Sequence, residues 1–468
     1  MSDSEPQTGA PTASPADLVV LGAGSGGYAC ALRAAQLGLS VILIEKAKVG
    51  GTCLHEGCIP TKALLHAAEV AESARTAASF GVQATLDGID MGAVHAYKDS
   101  VVQRLYKGLT GLVAGRGITV VEGTGRLTSP TTVVVGDISY TGRAVVIATG
   151  STSRSLPGID IDEERVLTSE HALRLPHVPS SAIVLGGGVI GCEFASVWRS
   201  FGAEVTVVEA LPRLVASEDE SSTKVLERAF RKRGIKVRTN SRFAALDTDD
   251  NGVHLTLDNG EVLTAQVLLV AVGRGPVTDG IGLDDVGVAT DRGYVVVDDR
   301  LRTNVPGVFA VGDVVPGLQL AHRGFAHGIF VAETLAGLNP SPVLDAGIPR
   351  VTYCEPELAS VGLTEAQARE LHGDLVEVLT YDLGGNGKSQ ILRTQGAVKL
   401  VRTSDGPILG VHMVGARVGE LVGEAQLIYN WEGYADDVAR LIHAHPTQNE
   451  ALGEAHMALA GQPLHAHS

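Results

Sequence analysis

The chain has 468 residues, with 53 acidic and 37 basic side chains and a formal net charge of −16. This charge argues against non-specific nucleic-acid binding and against a polybasic membrane anchor. Hydrophobic residues make up 44%, which excludes disorder for most of the chain. Only five cysteines are present, so a disulfide-stapled secreted scaffold is excluded. At roughly 150 residues per domain, the length predicts about three domains.

The first 16 residues contain no arginine and no basic stretch followed by an apolar one. They do not resemble a signal peptide or a transit peptide, and we expect a short disordered tail. No apolar run approaches the roughly 18 residues that span a bilayer. The sequence therefore predicts a cytoplasmic protein with no membrane partner.

The first predicted elements form a dinucleotide-binding pattern. An apolar strand over 18–21 breaks into a glycine turn over 22–27, and a helix follows to about Leu37. A second strand over 40–44 then ends at Glu45. A helix that begins at such a turn points backbone N–H groups at a pyrophosphate, and the acid accepts hydrogen bonds from a ribose.

The same pattern returns with a strand over 182–185, a turn over 186–191 and a strand over 204–208 that ends at Glu209. Two copies in the same context predict two dinucleotide domains. A carboxylate at Glu209 repels a 2′-phosphate, which favours NAD over NADP; the alternative is that Glu209 is only a solvated strand end. The predicted phosphate and ribose positions are Gly22, Gly24, Gly27 and Glu45 in the first copy and Gly186, Gly188, Gly191 and Glu209 in the second.

After about residue 348 the pattern changes to that of an α+β unit. The predicted strands are 351–353 and 397–401, and the predicted helices are 418–428 and 434–442. The acidic stretch 247–252 lacks the ligand spacing of a calcium loop and predicts a turn between strands.

Two cysteines, Cys53 and Cys58, lie five residues apart at a predicted loop-to-helix entry. In a cytosolic protein such a pair is catalytic or metal-binding more often than structural. Zinc needs four ligands, and besides the nearby His55 no second cluster completes a site. A redox-active disulfide is therefore favoured, because a helix N-terminus and Lys62 would lower a thiolate pKa.

His445 precedes a proline, and Glu450 follows it by five residues. A histidine beside a carboxylate is typical of an oriented acid–base group. A lone histidine is more often packed or exposed without a role. With a redox disulfide elsewhere, a base that handles thiols becomes the favoured interpretation.

Through these motifs the chain resembles the class I pyridine nucleotide–disulfide oxidoreductases, and within them the dihydrolipoamide dehydrogenases. The resemblance covers Leu18 to Glu450, and GGTCLHEGCIPTK (50–62) and HAHPT (443–447) are its most specific motifs. It implies an α/β fold with two Rossmann-like dinucleotide-binding domains, for FAD and NAD, and a C-terminal α+β dimerisation domain. The implied bounds are a tail over 1–16, an FAD-binding domain over 17–157 and 276–347, an NAD-binding domain over 158–275 and a dimerisation domain over 348–468.

The resemblance also implies an activity, the oxidation of protein-bound dihydrolipoamide with NAD⁺. Cys53 would attack the substrate, Cys58 would lie nearest the flavin, and His445, oriented by Glu450, would take the thiol proton at the other subunit of a homodimer. The lipoyl domains of 2-oxo acid dehydrogenase or glycine-cleavage complexes would be partners on separate chains.

Further cofactor-binding positions follow from the same resemblance, with Glu193 pairing with Lys62 and with no metal. They are Lys46, Gly51, Thr52, Lys62, Gly125, Thr149, Gly150, Asp313, Ala321, Glu193 and Gly273. His327 departs from the glutamate that is usual in the family. We expect Cys30, Cys192 and Cys354 to be buried as small hydrophobic residues.

Two alternatives remain at the level of sequence. One is an NAD(P)H-dependent reductase of a low-molecular-weight disulfide such as mycothione. The other, of a different class, is a non-catalytic flavin-binding scaffold, against which the intact Cys53, Cys58 and His445 argue.

Overall fold

The computed structural model describes residues 14–465, which fall into two compact units. The predicted tail lies outside the described residues up to residue 13, and Ala16 already begins a strand. Within these residues, the first unit comprises 14–60, 98–153 and 274–345, and the second comprises 61–97, 154–273 and 346–465.

The first unit is built on a seven-stranded sheet. Its central strand Ala16–Leu21 pairs in parallel with Val41–Glu45 on one side and Ile138–Ile147 on the other. Leu18, Val19 and Val20 in this strand are completely buried, as expected for a parallel strand that is covered on both faces. The remaining strands of the sheet are Thr119–Glu122, Gly125–Ser129, Thr132–Val135 and Val308–Ala310.

Close helix packing in this unit depends on glycine. A Cβ atom on Gly328 would lie 2.3 Å from the carbonyl oxygen of Gly26, so the helices Ser25–Gln36 and Ala321–Leu335 touch along their backbones. The short strand pairs of the unit are Ser151–Ser153 with Arg274–Pro276 and Thr290–Asp291 with Tyr294–Val295. Its other helices are Gly51–His55, Leu283–Val286 and the 3₁₀ turn Gly312–Val314.

The second unit contains a parallel sheet and two antiparallel ones. The parallel sheet has the order Lys236–Arg238, Glu204–Val208, Ser181–Leu185, Val267–Val270, Val166–Leu167. A three-stranded sheet follows in chain order with Phe243–Asp249, Gly252–Leu257 and Val262–Ala265. The helices in this part are Ser169–Ala172, Val189–Phe201 and Glu220–Lys232.

The C-terminal part of this unit is a five-stranded antiparallel sheet with helices. The sheet order is Arg350–Thr352, Glu357–Gly362, Ile408–Gly415, Ala397–Thr403, Val376–Asp382. The helices are Glu365–His372, Gly387–Leu392, Val418–Asn430, Ala435–Ala439 and Glu450–Leu459. The 3₁₀ turns of the second unit are Ala77–Phe80, Gly373–Leu375 and Leu383–Gly385, with Asp345–Gly347 at a unit boundary. Two boundaries between the units fall inside helices, one in Cys58–Thr76 and one in Met91–Gly115.

The predicted second helix of the C-terminal part is too long. It covers Ala435–Ala439, and Leu441 and Ile442 lie beyond its end with their side chains exposed. The acidic stretch at 247–252 forms the predicted turn between strands, since one strand ends at Asp249 and the next begins at Gly252. Within residues 14–465, no helix is both long enough and apolar enough to cross a membrane.

Candidate functional site

The first glycine turn leaves space for a phosphate. Gly22 has a φ of 102°, which favours glycine, and a Cβ atom on Gly27 would lie 1.8 Å from the Gly22 carbonyl oxygen. A Cβ atom on Gly24 would meet nothing within 4 Å. The turn is therefore closed on its sheet side and open at Gly24, where the helix Ser25–Gln36 begins.

The Glu45 carboxylate is hydrogen-bonded to the backbone of the same turn. Its two oxygens accept hydrogen bonds from the backbone N–H groups of Ala23, at 2.7 Å, and Ala47, at 2.9 Å. The carboxylate is thus fixed at the end of its strand, with lone pairs left for ribose hydroxyls. The adjacent Lys46 is exposed.

The cysteine segment packs directly on this turn. The Gly50 N–H donates to the Ala23 carbonyl at 2.8 Å, and a Cβ atom on Gly51 would lie 2.7 Å from the Gly24 Cα. The helix Gly51–His55, which contains Thr52 and Cys53, therefore begins beside the phosphate position. Only glycine at residue 51 allows this approach.

Cys53 and Cys58 are both half-buried, and Cys58 is the first residue of the helix Cys58–Thr76. Burial, followed by the charges that Cys53 and Cys58 carry as thiolates, raises the pKa of the Tyr28 phenol to about 12. His55, which lies between the two cysteines in the sequence, has contacts of its own. Its Nε2 lies 3.0 Å from the Val49 carbonyl oxygen, and its ring packs edge-on against Tyr106.

A polar cluster in the first unit holds Asp313. The Ser151 hydroxyl donates to the Asp313 carboxylate at 2.7 Å, and Arg274 donates to the same hydroxyl at 2.8 Å. Nearby, the Thr149 hydroxyl donates to the Val277 carbonyl, and the Gly150 carbonyl accepts from the Val277 N–H. Neither Ser151 nor Arg274 was predicted as a site residue from the sequence.

Two further predicted positions in this unit have different surroundings. Ala321 begins the helix Ala321–Leu335, and its N-terminal N–H groups are available to an anion. Gly125 lies in the core, where a Cβ atom would be 2.5 Å from the Leu21 Cδ1. Packing therefore requires glycine at residue 125, and its role in cofactor binding stays a prediction.

His327 is buried on the same helix and accepts a hydrogen bond from the Gly312 N–H at 3.4 Å. Burial, followed by the charge of Arg323, lowers the pKa of His327 to about 4. The side chain is therefore a neutral imidazole at physiological pH. It does not reproduce the negative charge of a glutamate at this position.

The second glycine turn repeats the first. Gly186 has a φ of 110°, and a Cβ atom on Gly191 would lie 1.9 Å from the Gly186 carbonyl oxygen. Gly188 and Gly273 face open space. Glu209 accepts from the N–H groups of Gly187 and Leu211, each at 2.7 Å, so it is a structural part of the turn and not only a solvated strand end.

Glu193 and Lys62 form a partly buried ion pair in the second unit. The Lys62 Nζ lies 2.8 Å from a Glu193 oxygen, and the Glu193 side chain is 3% exposed. The same carboxylate accepts from the Tyr353 N–H at 3.0 Å, and the Lys62 ammonium lies 4.7 Å from the centre of the Tyr353 ring. The ion pair therefore fixes the side chain of Lys62, which lies in the helix Cys58–Thr76 four residues after Cys58.

His445 and Glu450 form a dyad in the second unit. The His445 Nδ1 lies 2.8 Å from the Glu450 Oε1, and the Thr447 N–H donates to Oε2 at 2.7 Å. Burial opposes ionisation of Glu450, but the hydrogen bonds from Thr447 and His445 outweigh it and lower its pKa. His445 is 76% exposed, so its Nε2 is available for proton transfer.

The three remaining cysteines are buried, as predicted. Cys30 and Cys192 are completely buried and Cys354 is 1% exposed. Burial raises the pKa of the Cys30 thiol to about 12 and the pKa of the Cys354 thiol well above its usual range. These thiols are chemically inert at neutral pH.

Comparison with protein families gives two matches. A family described as pyridine nucleotide-disulphide oxidoreductase matches residues 16–328. The dimerisation domain of the same family matches residues 348–456. The second match supports the predicted homodimer.

Several curated proteins are similar over nearly the whole chain. Dihydrolipoyl dehydrogenase 1, mitochondrial, of Arabidopsis thaliana is 40% identical over 96% of this chain and 91% of its own length. Dihydrolipoyl dehydrogenase of Bacillus subtilis (strain 168) is 40% identical over 96% and 99%. Leghemoglobin reductase of Glycine max is also 40% identical, over 96% and 88%.

Solved structures share the fold at lower identity. LpdA from Mycobacterium tuberculosis has a TM-score of 0.88 at 26% identity and covers 96% of this chain and 100% of its own. The HOCl-induced flavoprotein disulfide reductase RclA from Escherichia coli has a TM-score of 0.84 at 27% identity and covers 94% and 99%.

Proposed function

The chain belongs to the pyridine nucleotide-disulphide oxidoreductases, and we propose that it oxidises protein-bound dihydrolipoamide to lipoamide with NAD⁺ as hydride acceptor. The observation that carries this proposal is 40% identity to dihydrolipoyl dehydrogenases over 96% of the chain. The reaction requires a pair of cysteines, here Cys53 and Cys58 in two successive helices, and a base, here the His445–Glu450 dyad.

FAD and NAD are the cofactors, and the two glycine turns fit them. In the first turn the open space at Gly24 would receive the FAD pyrophosphate, with Glu45 at the ribose. In the second turn Gly188 and Glu209 would hold NAD in the same way. When bound, FAD takes up the electron pair and NAD⁺ accepts the hydride.

Cys53 and Cys58 carry the thiol chemistry. A substrate thiolate attacks the Cys53 sulfur of a Cys53–Cys58 disulfide, forms a mixed disulfide and releases Cys58 as a thiolate. The second thiolate of the same substrate then attacks the substrate sulfur that is bonded to Cys53. Cyclic lipoamide leaves, Cys53 is released as a thiolate, and the dithiol of the protein holds the electron pair.

His445 supplies the base. Its Nδ1 is held by Glu450, so Nε2 is the nitrogen that takes the proton from the substrate thiol. Glu450 stabilises the imidazolium that results. In the homodimer the histidine serves the disulfide of the other subunit.

Glu209 sets the preference for NAD. A 2′-phosphate on the adenosine ribose would meet a carboxylate that is fixed by two backbone hydrogen bonds. Arg213, the nearest arginine along this segment, donates instead to the carbonyl oxygens of Ala216 and Glu218. The Glu209 carboxylate therefore repels the 2′-phosphate of NADP.

The physiological substrates are lipoyl domains on separate chains, from 2-oxo acid dehydrogenase or glycine-cleavage complexes. We place the protein in the cytoplasm. The buried cysteines Cys30, Cys192 and Cys354 support this location, because thiols of this kind suit a reducing compartment.

Steady-state assays of the FAD-loaded dimer test the function. We expect NADH formation from dihydrolipoamide and NAD⁺, with little from NADP⁺. Failure with dihydrolipoamide, together with NADPH-dependent reduction of mycothione disulfide, would move the function to low-molecular-weight disulfides. A protein that binds FAD but turns over none of these substrates would indicate a non-catalytic flavin-binding scaffold.

A further inference from the structure

A second histidine–carboxylate pair lies two residues before the dyad. The His443 Nε2 is 2.9 Å from the Glu424 Oε1, and the two side chains are 10% and 25% exposed. Glu424 belongs to the helix Val418–Asn430. His443 lies in the motif 443–447, but the sequence predicts no role for His443 or Glu424, since the two residues are 19 positions apart.

The same carboxylate also reaches the far end of the segment that carries His445. The Glu424 Oε2 accepts a hydrogen bond from the Asn449 side-chain amide. One carboxylate therefore fixes residue 443 and residue 449 to the same helix. Residues 444–448, which contain His445, are held at both ends.

Packing limits where the His443 ring can lie. A Cβ atom on Gly453 would be 2.5 Å from the His443 Nδ1, so the helix Glu450–Leu459 presents bare backbone to the ring. Gly453 has no positive φ, and the contact with the imidazole is what requires glycine there. The ring is thus wedged between two helices.

The charges around His443 favour its protonated form. The hydrogen bond with Glu424 raises the pKa of His443, and Glu450 adds to this effect. His456, which packs from the last helix, stays neutral because burial lowers its pKa to about 4. Burial opposes ionisation of Glu424, yet the hydrogen bonds from His443 and Asn449 lower its pKa.

We propose that His443 and Glu424 are positioning residues, which hold the His445–Glu450 dyad in the geometry that thiol oxidation requires. This inference rests on the proposed function. The protonated His443 and the ionised Glu424 form the clamp. Because this clamp holds the segment that carries His445, we expect it to act on the dithiol reaction and not on cofactor binding.

Glu424→Gln tests the clamp in the FAD-loaded dimer. We expect kcat with dihydrolipoamide to fall by roughly 10- to 100-fold, the scale for a misplaced catalytic group. NADH oxidation with ferricyanide, which does not need His445, should stay within about twofold. The alkaline fall in dihydrolipoamide turnover should also move to lower pH, because His443 loses the carboxylate that keeps it protonated.

Asp249→Asn is the matched control, since it removes another histidine–carboxylate pair, with His254 at 3.0 Å, from the same unit. It should change neither the rate nor the pH profile. His443→Gln tests the clamp from its other side if Glu424→Gln does not fold, and it should reproduce the selective loss.

Two results would overturn the clamp. One is unchanged dihydrolipoamide turnover with an unchanged pH profile in Glu424→Gln or His443→Gln. The other is a parallel loss of ferricyanide reduction and FAD content, which would indicate a merely structural role. A wild-type protein that does not oxidise dihydrolipoamide would overturn the proposed function itself, so the two failures are distinguishable.

Discussion

The Cys53 sulfur is the atom on which the proposed exchange depends. Cys53→Ser should abolish dihydrolipoamide turnover while FAD remains bound, because the hydroxyl cannot form the mixed disulfide and the adjacent glycine turn is unchanged. Steady-state rates and the flavin content of the purified protein check this. Cys30→Ala, at a completely buried thiol, is the control and should retain turnover. Retained turnover in Cys53→Ser would remove the disulfide assignment.

In the proposed reaction His445 takes a proton from the substrate thiol, so replacing it should slow the reaction by the amount that general base catalysis contributes. His445→Gln should slow oxidation of dihydrolipoamide by about 10²-fold or more, the usual scale for general acid–base loss. Rapid mixing of dihydrolipoamide with the oxidised protein measures this step directly. An unchanged rate would leave His445 with a packing role only.

At the scale of single residues, the sequence predicts candidate site residues that lie in local motifs but not the distant residues that contact them. The glycines of both turns, Glu45 and Glu209 could be identified because the turn chemistry is contained in a short stretch. Tyr28, Ser151 and Tyr353 could not, since each acquires its role from residues far along the chain. Such contacts are set by tertiary packing, for which one sequence carries no local signal.

The second strand–turn–helix element depends on backbone contact at Gly191. Gly191→Ala would place a methyl group 1.9 Å from the Gly186 carbonyl oxygen, so the helix must move away from the turn. We expect NAD⁺ affinity to fall by at least tenfold while FAD stays bound. Isothermal titration with NAD⁺ measures this affinity.

The control for this element is Gly108→Ala, at an exposed helix position where a Cβ atom meets nothing. It should keep NAD⁺ affinity and add about 0.5–1 kcal/mol of stability, since glycine is unfavourable inside a helix. Equal NAD⁺ affinity in Gly191→Ala and the wild type would mean that the nucleotide binds elsewhere.

Buried strands were easier to predict than short surface helices. The strand Glu204–Val208 has its predicted bounds. A short apolar run between charged or glycine-rich segments is compatible with few other secondary structures. The helix predicted over 434–442 is shorter in the structure and ends at Ala439. Leu441 and Ile442 are 58% and 99% exposed within the chain.

For the molecule as a whole, a buried charge network predicts a pH dependence of stability. Asp219 is 2% exposed and accepts from Lys399 at 2.9 Å, while the adjacent Glu218 pairs with Arg350 at 3.0 Å. Burial by itself would raise the pKa of Asp219. Hydrogen bonds from Ser221 and Lys399, with the nearby His412, instead hold this pKa well below its usual 3.8.

A folded-state pKa that is lowered means that stability is present above the unfolded value and is lost as the pH falls below it. The melting temperature should therefore drop less steeply between about pH 5 and pH 3 in Asp219→Asn than in the wild type. At pH 7 the variant should be less stable by about 1–3 kcal/mol, because a buried partner is removed. Asp250→Asn, in an exposed turn, is the control, and equal slopes in all three proteins would contradict the assignment.

The fold class and the family predicted from the sequence are confirmed by the comparisons. The division into two compact units was not predictable. Thr61–Tyr97 groups with the second unit although it follows the cysteine motif of the first. From the sequence, a segment is expected to belong to the same domain as its neighbours along the chain. The unit to which a helix belongs depends instead on the side chains it packs against, which come from remote segments.

The central claim is that Cys53 and Cys58 pass electrons from a dithiol to FAD and NAD⁺, and an anaerobic titration tests it most directly. Dihydrolipoamide is added to the oxidised, FAD-loaded dimer, absorbance is followed, and NAD⁺ is then added. We predict a long-wavelength absorbance band on reduction, which disappears as NADH forms. A yellow protein that reacts with NADH or NADPH but not with dihydrolipoamide would contradict the account.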